Sequence, residues 1–467
     1  MSSLNASLAV ALSGLAAEQG ALAATTNNVA NVNTPGYSRQ VPVLVANDPI
    51  VEDPLTFGTG VTLQSIQSVR DPILESQIQQ ETQTQGQLGA LVSALSETQT
   101  NFSSTTGDIG TEISNFFAAV SQLSTSPADL SLRQNVLTAA GNVASAFNTA
   151  ANNLTAQQGS LNQGVEQTVG QINQLTAQIA QLNGQISNLQ NAGESAGTFV
   201  DQRTQLIDQL SALVDVSVIP SNNTLALTTD NGTALVDGQQ SFQLFTQANA
   251  SGVQEIYSQG SDITSSIVSG QLGGMLVARD QQIPAIQTQL DTLAAGFANA
   301  VNTVQTNGYD LTGTVDQNGN PVKSTNDLFT PPPAGITGAA ASLSVAMTDP
   351  SLLAASSDGT AGSNGNAEAL YALQNQAVVA GQSPGDYYSG IVFNVGNAAA
   401  NATASQSASS LVLQQLNDQR SSVSGVSLDE EAANMMQYQQ AYAASAQVIT
   451  AINDMMYAAI NMTTLTG

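Results

Sequence analysis

Apolar residues that return every seventh position govern three separate stretches of this chain, and no other feature limits its fold as much. At the N-terminus Leu8, Leu15, Leu22 and Val29 follow one another at that interval, with Leu4 and Ala11 in the alternate row, which Glu18 and Thr25 weaken. At the C-terminus Leu428, Met435, Tyr442, Ile449 and Met456 repeat in the same way, flanked by Tyr438, Ile452 and Ala459. An internal run alternates Ile172, Ile179 and Ile186 with Leu161, Leu175, Leu182 and Leu189; half of the other positions are Gln or Asn, and Glu166 is its only charge. Seven-residue spacing keeps one apolar stripe turned toward a partner helix. A helix with a single stripe is marginal alone in water. Each end therefore needs a partner, and the other end is the nearest candidate.

Around these runs the chain divides by character. Pro72 to about Thr100 and Ile109 to Leu123 read as helices, and Pro127-Ala-Asp129 opens another through Leu132, Val136 and Val143. Gly193 and Gly197 break the internal heptad run, after which Phe199, Leu206, Leu210 and Leu213 continue helically to about Val214. Short β-like runs follow at 216–219, 225–228 and 242–245, punctuated by the turn signals Asp230-Asn-Gly232 and Asp237-Gly238. Helix is expected again over 278–304 and 367–380, and from about Asn397 to the end, with loops and short strands over 308–365. The fold class that results is mainly α with a β-containing insertion. A long helical bundle or coiled-coil body comes from the N- and C-terminal halves, and one or two smaller outer domains project from it. Segment by segment, we expect an N-terminal axial helix and arm (1–46), a helical body (47–214), a β-rich outer domain (215–265), a return to the helical body (266–310), a mixed β, loop and helix segment (311–405) and a C-terminal axial helix (406–467).

Charge excludes several functions. The net charge is −27, with seven cations in all, and only 9% of residues are charged, against roughly 25% in an average soluble domain. No cluster of Lys and Arg is available to neutralise phosphates, so nucleic acid is excluded as a partner, and an anionic membrane surface likewise. The chain has no Cys, His or Trp, which removes thiol and imidazole chemistry and the usual zinc sites. Residues 214–405 hold 14 acids and two cations, net −12, whereas residues 1–46 are neutral overall. That polarity suits ends buried in an assembly and a middle that faces water. Leu8 to Ala17 is apolar but too short to span a bilayer, and the first cation is Arg39, so no charged segment of an export signal precedes it.

The most informative motif is Asn27-Asn28-Val-Ala30-Asn31-Val-Asn33-Thr34-Pro35-Gly36-Tyr37-Ser38-Arg39-Gln40. Asn tolerates left-handed backbone at a helix end, and Thr-Pro-Gly turns the chain into an extended arm. The order resembles the N-terminal signature of the flagellar axial proteins, and Pro-Gly-Tyr-Ser-Arg-Gln is similar to the hook-associated protein 1 family in particular. At the other end, Ser424-Gly-Val-Ser-Leu-Asp-Glu-Glu431 and Met436-Gln-Tyr-Gln-Gln-Ala-Tyr442 resemble that family's C-terminal helix, with Ser427 as N-cap and acids in the first turn. Residues 200–210, 270–276 and 310–313 also resemble it.

The resemblance implies a structural subunit that joins hook to filament and allows filament assembly. It implies a secreted, extracellular location in the bacterial flagellum after type III export. Its implied partners are other copies in a ring-like axial assembly, the hook protein, the next junction protein and an export chaperone. The terminal heptads would then pair on incorporation, having been loose in the free subunit. Another axial subunit, of hook or distal rod, and a secreted adhesin or glycan-active protein are the alternatives. No enzyme activity and no cofactor are expected: no His exists to act as base for a nucleophile, the only lysine, Lys323, lies in a Gly/Pro-rich loop, and the aromatic platforms a carboxylate-based glycosidase wants are scarce. Asp316, Asn318, Asn320 and Asp327 mimic a calcium loop, but Pro321 stands where such loops need Gly, so a turn at Asn318-Gly319 is expected.

Overall fold

A computed structural model describes residues 2–52, 55–102, 107–221 and 224–464. The chain opens with α1 (Ser2–Ala30), then a hairpin arm in which β1 (Gln40–Ala46) pairs antiparallel with β4 (Val61–Ser68), Gln40 opposite Ser68. At its tip β2 (Ile50–Glu52) pairs with β3 (Leu55–Phe57). Asp71 accepts from the N–H groups of Ile73 and Leu74 and so caps α2 (Pro72–Phe102), whose first residue is a proline that needs no partner there. Asp108 caps α3 (Ile109–Thr125), and Asp129 caps α4 (Leu130–Asn191) through Ser131 N–H at 2.7 Å. At 62 residues α4 is the spine of the molecule, roughly 93 Å long at 1.5 Å per residue. Gly193, at φ +76°, ends its C-terminal turn before α5 (Gly197–Leu213) begins.

Two small antiparallel sheets follow. One holds β5 (Ser217–Ser221), β6 (Thr224–Thr228), β7 (Ala234–Asp237) and β8 (Gln240–Ser241) in chain order; the other has the order β11 (Ser261–Asp262), β10 (Gln254–Ser258), β9 (Leu244–Ala248). The chain returns through α6 (Gly270–Val277), a π turn at Ala278–Gln282 and α7 (Ile283–Asn307). It then passes α8 (Ala339–Ser342) and α9 (Gly365–Ala372), and closes with α10 (Pro384–Ser424) and α11 (Leu428–Thr464).

Among the described residues, three apolar cores hold the body together. The largest joins α3, the first half of α4, α7 and the 328–379 segment around Phe116, Phe117, Phe297 and Phe329, whose ring centroids lie 5.4–6.2 Å apart. The second packs Ile172 and Ile179 of α4 against Ile207 and Leu210 of α5 and against Leu227, Leu235 and Val236 of the first sheet. A small third one, Leu95 with Ala399 and Ala402, joins α2 to α10.

The sheets are also docked by asparagines. Asn162, Asn173 and Asn183 sit eleven and ten residues apart on α4, close to three helical turns, so they line one face. Asn173 donates to the carbonyl of Leu244 and accepts from its N–H, both at 2.8 Å. Asn162 likewise engages Gly252 C=O and Gln254 N–H, and Asn183 donates to the carbonyls of Leu225 and Gly238. A primary amide presents the same donor and acceptor as a peptide group. These side chains therefore stand in for a missing strand at the sheet borders.

Several expected boundaries shift. The internal heptad run is not a separate coiled coil but the second half of α4, and its partners are α5 and the sheets. The segment 47–214 begins inside the hairpin arm, because the alternating sequence there pairs β1 with β4. Helix expected over 367–380 ends at Ala372 and a 3₁₀ turn, Leu373–Asn375; Gly381, at φ +83°, turns the chain before α10. The helix expected from Asn397 starts earlier, at Pro384, where Ser383 accepts from Asp386 N–H. It also breaks at 425–427, so body and axial helices are distinct. The last three residues of the C-terminal segment lie outside the described residues.

Candidate functional site

α1 and α11 pack along each other, with the hairpin arm against α1. Their seam is thin. On α1 the buried side chains are Ala11, Ala17, Ala21, Ala24, Thr25 and Asn28, all small, while Leu8, Leu15, Leu22 and Val29 are half-buried beside them. On α11, Met435, Tyr442, Ile449 and Met456 form the half-buried stripe, and Leu428 is exposed in the first turn. Among the described residues of α11, Ile452 is the one apolar side chain that is fully buried. A Cβ on Gly14 would stand 3.4 Å from Ser445 Oγ, a measure of how near the two backbones come. The single chain thus pairs its own ends. Incorporation is not needed to bring them together, because small residues let the helices approach closely.

α1 is more apolar than the Leu8–Ala17 stretch suggests. From Leu4 to Ala30 it is long and apolar enough to cross a membrane, by length and composition only. Here that surface meets α11 and the arm.

The Asn-rich motif ties the end of α1 to the arm. Asn28 lies at its centre. Its amide donates to Gln40 C=O and its oxygen accepts from Gln40 N–H, each at 2.8 Å, and the same oxygen accepts from Tyr37 OH. Asn27 donates to Gln40 Oε1, Asn31 folds back on Asn27, and Thr34 donates to Asn31. Gly36 holds φ +75°, and a Cβ there would run into Gln205, whose amide donates to Pro35 C=O. Ser38 N–H reaches Asp201, and Arg39 N–H reaches Ser424 C=O at 2.8 Å. Ala30 and Asn33 are exposed.

Sequence reading passed over what lies next to this motif. Four of the seven cations gather where the terminal pair meets the body: Arg39 pairs with Glu430, Arg70 with Asp201, Arg420 with Asp208 and Glu75, and Arg203 donates to Asn183. Their scarcity elsewhere in the chain was the available signal. A cavity of about 370 Å³ opens among them, lined by the 31–38 loop, Arg70, Glu75, Asp208, Arg420 and the 424–426 link. Burial, reinforced by Glu75, pushes the Asp208 carboxyl up to about 6 against the opposing pull of Arg420. Tyr37 rises to about 12 through burial and the nearby Asp201 and Glu431 carboxylates. Burial, helped by Arg70, lowers Arg203 to about 10.

The calcium-like loop closes on itself. Asp316 accepts from the N–H groups of Asn318 and Asn320 and from the Asn320 amide, and those bonds hold its carboxyl below the usual range. Gly319, at φ +82°, completes the turn. Among the described residues no three His, Cys, Asp or Glu side chains converge as a metal site requires.

Two stretches of axial-protein character coincide with these ends. Residues 8–37 match the family described as flagella basal body rod protein, and residues 418–462 match the flagellar basal body rod FlgEFG protein C-terminal family. Between them, residues 95–319 match the flagellar hook-associated protein FlgK helical domain. Flagellar hook-associated protein 1 of Bacillus subtilis strain 168 is 30% identical over 99% of both chains. The chain belongs to the hook-associated protein 1 family. The Escherichia coli K12 member of that family is 28% identical, covering 97% of this chain and 98% of its own. The flagellar hook junction protein FlgK from Burkholderia pseudomallei shares the fold, with a TM-score of 0.65 at 20% identity over 74% of this chain and all of its own. Hook-associated proteins are structural components of the flagellum, and the joint and paired ends described above belong to such a component.

Proposed function

We propose that this chain is a structural subunit at the junction of flagellar hook and filament, and that its paired ends are the part that enters the axial assembly. The observation that carries this reading is the under-filled terminal pair. Val10 and Leu12 on α1 and Met436, Val448, Met455 and Tyr457 on α11 remain exposed, Tyr457 by 74%. Apolar surface left open on two paired helices is buried by neighbours in an assembly. Sister copies in a ring-like zone would cover it, with hook protein below and the next junction protein above. An export chaperone would shield it before type III export to the cell exterior. The acidic sheets and the 311–379 segment would face outward. The work is mechanical and requires neither catalysis nor a cofactor.

Deletion of residues 428–467 tests the reading. Cells carrying it should show hooks without filaments and flagellin lost to the medium, while the purified truncated protein retains the cooperative melt of the body. Filaments attached as in the parent strain would reject it.

A further inference from the structure

One charge sits where the terminal seam should be apolar. Leu4, Ala11, Glu18 and Thr25 form a seven-residue row on α1, and Ala11 and Thr25, one repeat to either side of Glu18, are both buried. Such a row faces the partner helix along its length, so position alone carries Glu18 into the seam. Its side chain is half-buried, and its Oε2 is shielded from solvent with no hydrogen-bond partner among the described residues. That oxygen has given up water and gained no donor in exchange.

The surroundings offer no compensation. α1 packs against α11, β1 and β4. β1 and β4 have no titratable side chain, α1 has no other, and none of the four elements holds a Lys or Arg. On α11, Tyr438 lies in the field of both Glu18 and the buried Glu431; burial, then these two carboxylates, push its phenol up. The other titratable groups of α11 are Asp429, Glu430, Tyr442, Asp454 and Tyr457, and each of them can add only negative charge. The nearest cation along the chain, Arg39, is held by Glu430.

We propose that Glu18 is a proton-operated latch on the terminal pair: ionised, it keeps the α1–α11 seam loose, and protonated, it lets the seam close. Burial holds its carboxyl above the ordinary value of 4.5. The paired ends therefore bind the proton more tightly than parted ends, in which Glu18 is in water. Pairing is strongest in acid and weakens as pH rises through the raised value. At neutral pH the seam carries the full penalty of the desolvated charge. Ends kept loose in this way can re-pair with neighbouring copies; that use rests on the junction reading above, and the latch itself does not.

Hydrogen–deuterium exchange on the full-length monomer tests it, with the parent and Glu18→Gln compared at each pH so that the intrinsic pH dependence of exchange cancels. At about pH 8, peptides from α1 and α11 should exchange about threefold or more slowly in Glu18→Gln. The gap should shrink as the pH falls to about 4.5, where the parent carries the proton itself. Glu18→Leu, which completes the row with an apolar side chain, should slow exchange further. Peptides from α3 and the first half of α4 should be unchanged in both variants. Equal exchange of parent and Glu18→Gln along α1 and α11 at every pH, faster exchange in that variant, a gap that does not narrow in acid, or an equal change in the body would each overturn the latch. No assembly takes part, so any of these results would leave the junction reading standing.

Discussion

The aromatic core of the body and the seam between α1 and α11 are both helix packings, yet they bury different things. The body encloses Phe116, Phe117, Phe297 and Phe329 completely. The terminal seam encloses mainly alanines and one isoleucine and leaves a methionine- and tyrosine-bearing face outside. Burying a large apolar side chain stabilises by roughly 1.5–3 kcal/mol, whereas an alanine methyl adds a fraction of that. The body is therefore packed to completion within the single chain, whereas the terminal pair is left under-filled.

Core truncation should separate the two regions most sharply. Phe297→Ala should cost roughly 3–5 kcal/mol in urea unfolding of the whole chain, and a loss under about 1 kcal/mol would mean that the body core is not the main source of stability.

A pH series probes the body next. Asp215 is fully buried and accepts from Asp230 N–H through one oxygen, while among the described residues no other residue donates to its second oxygen. Burial pushes its carboxyl up to about 6. The folded state thus binds a proton more tightly than the unfolded state, so stability falls as pH rises from the unfolded value near 4 through 6. Asp215→Asn should keep the bond to Asp230 and raise stability above pH 6 by at most about 3 kcal/mol, the gain fading below pH 4. An unchanged pH profile in the variant would show that Asp215 is better solvated than its surroundings imply.

The smallest effect on global stability is expected at the seam. Ile452→Ala should move the main unfolding transition by under about 0.5 kcal/mol. Amide exchange along α1 and α11 should nonetheless accelerate, since a weakly packed element opens locally. A large global shift would join the two regions into one cooperative unit and remove the contrast.

Legibility in the sequence follows the same division. The heptads, the caps at Asp129 and Ser427 and the turn at Asn318-Gly319 are local signals, and each resides in a few consecutive residues. Ser427 does accept from Glu430 N–H, at 3.5 Å, and Asp129 from Ser131 N–H. The partner of the internal heptad was hidden, because periodicity states that a face is buried without saying by what. The early start of α10 was hidden as well: Gly385, Gly390 and Gly396 dilute its pattern, and tertiary packing on α2 overrides their poor propensity. The ion joint combines residues 39, 70, 75, 201, 208 and 420, separations no local pattern spans. Only the rarity of cations hinted at it.

The asparagine row on α4 carries a consequence for durability. An amide has no charge to titrate and none to screen, so neither acid nor brine should loosen the grip of the spine on its sheets. Its weakness is slow chemistry. Hydrolysis of the Asn183 side chain, which is followed by Gly184 and faces the carbonyls of Leu225 and Gly238, would set an acceptor against two acceptors. Ageing, more than any change of medium, is what would let the outer sheets drift from their mount.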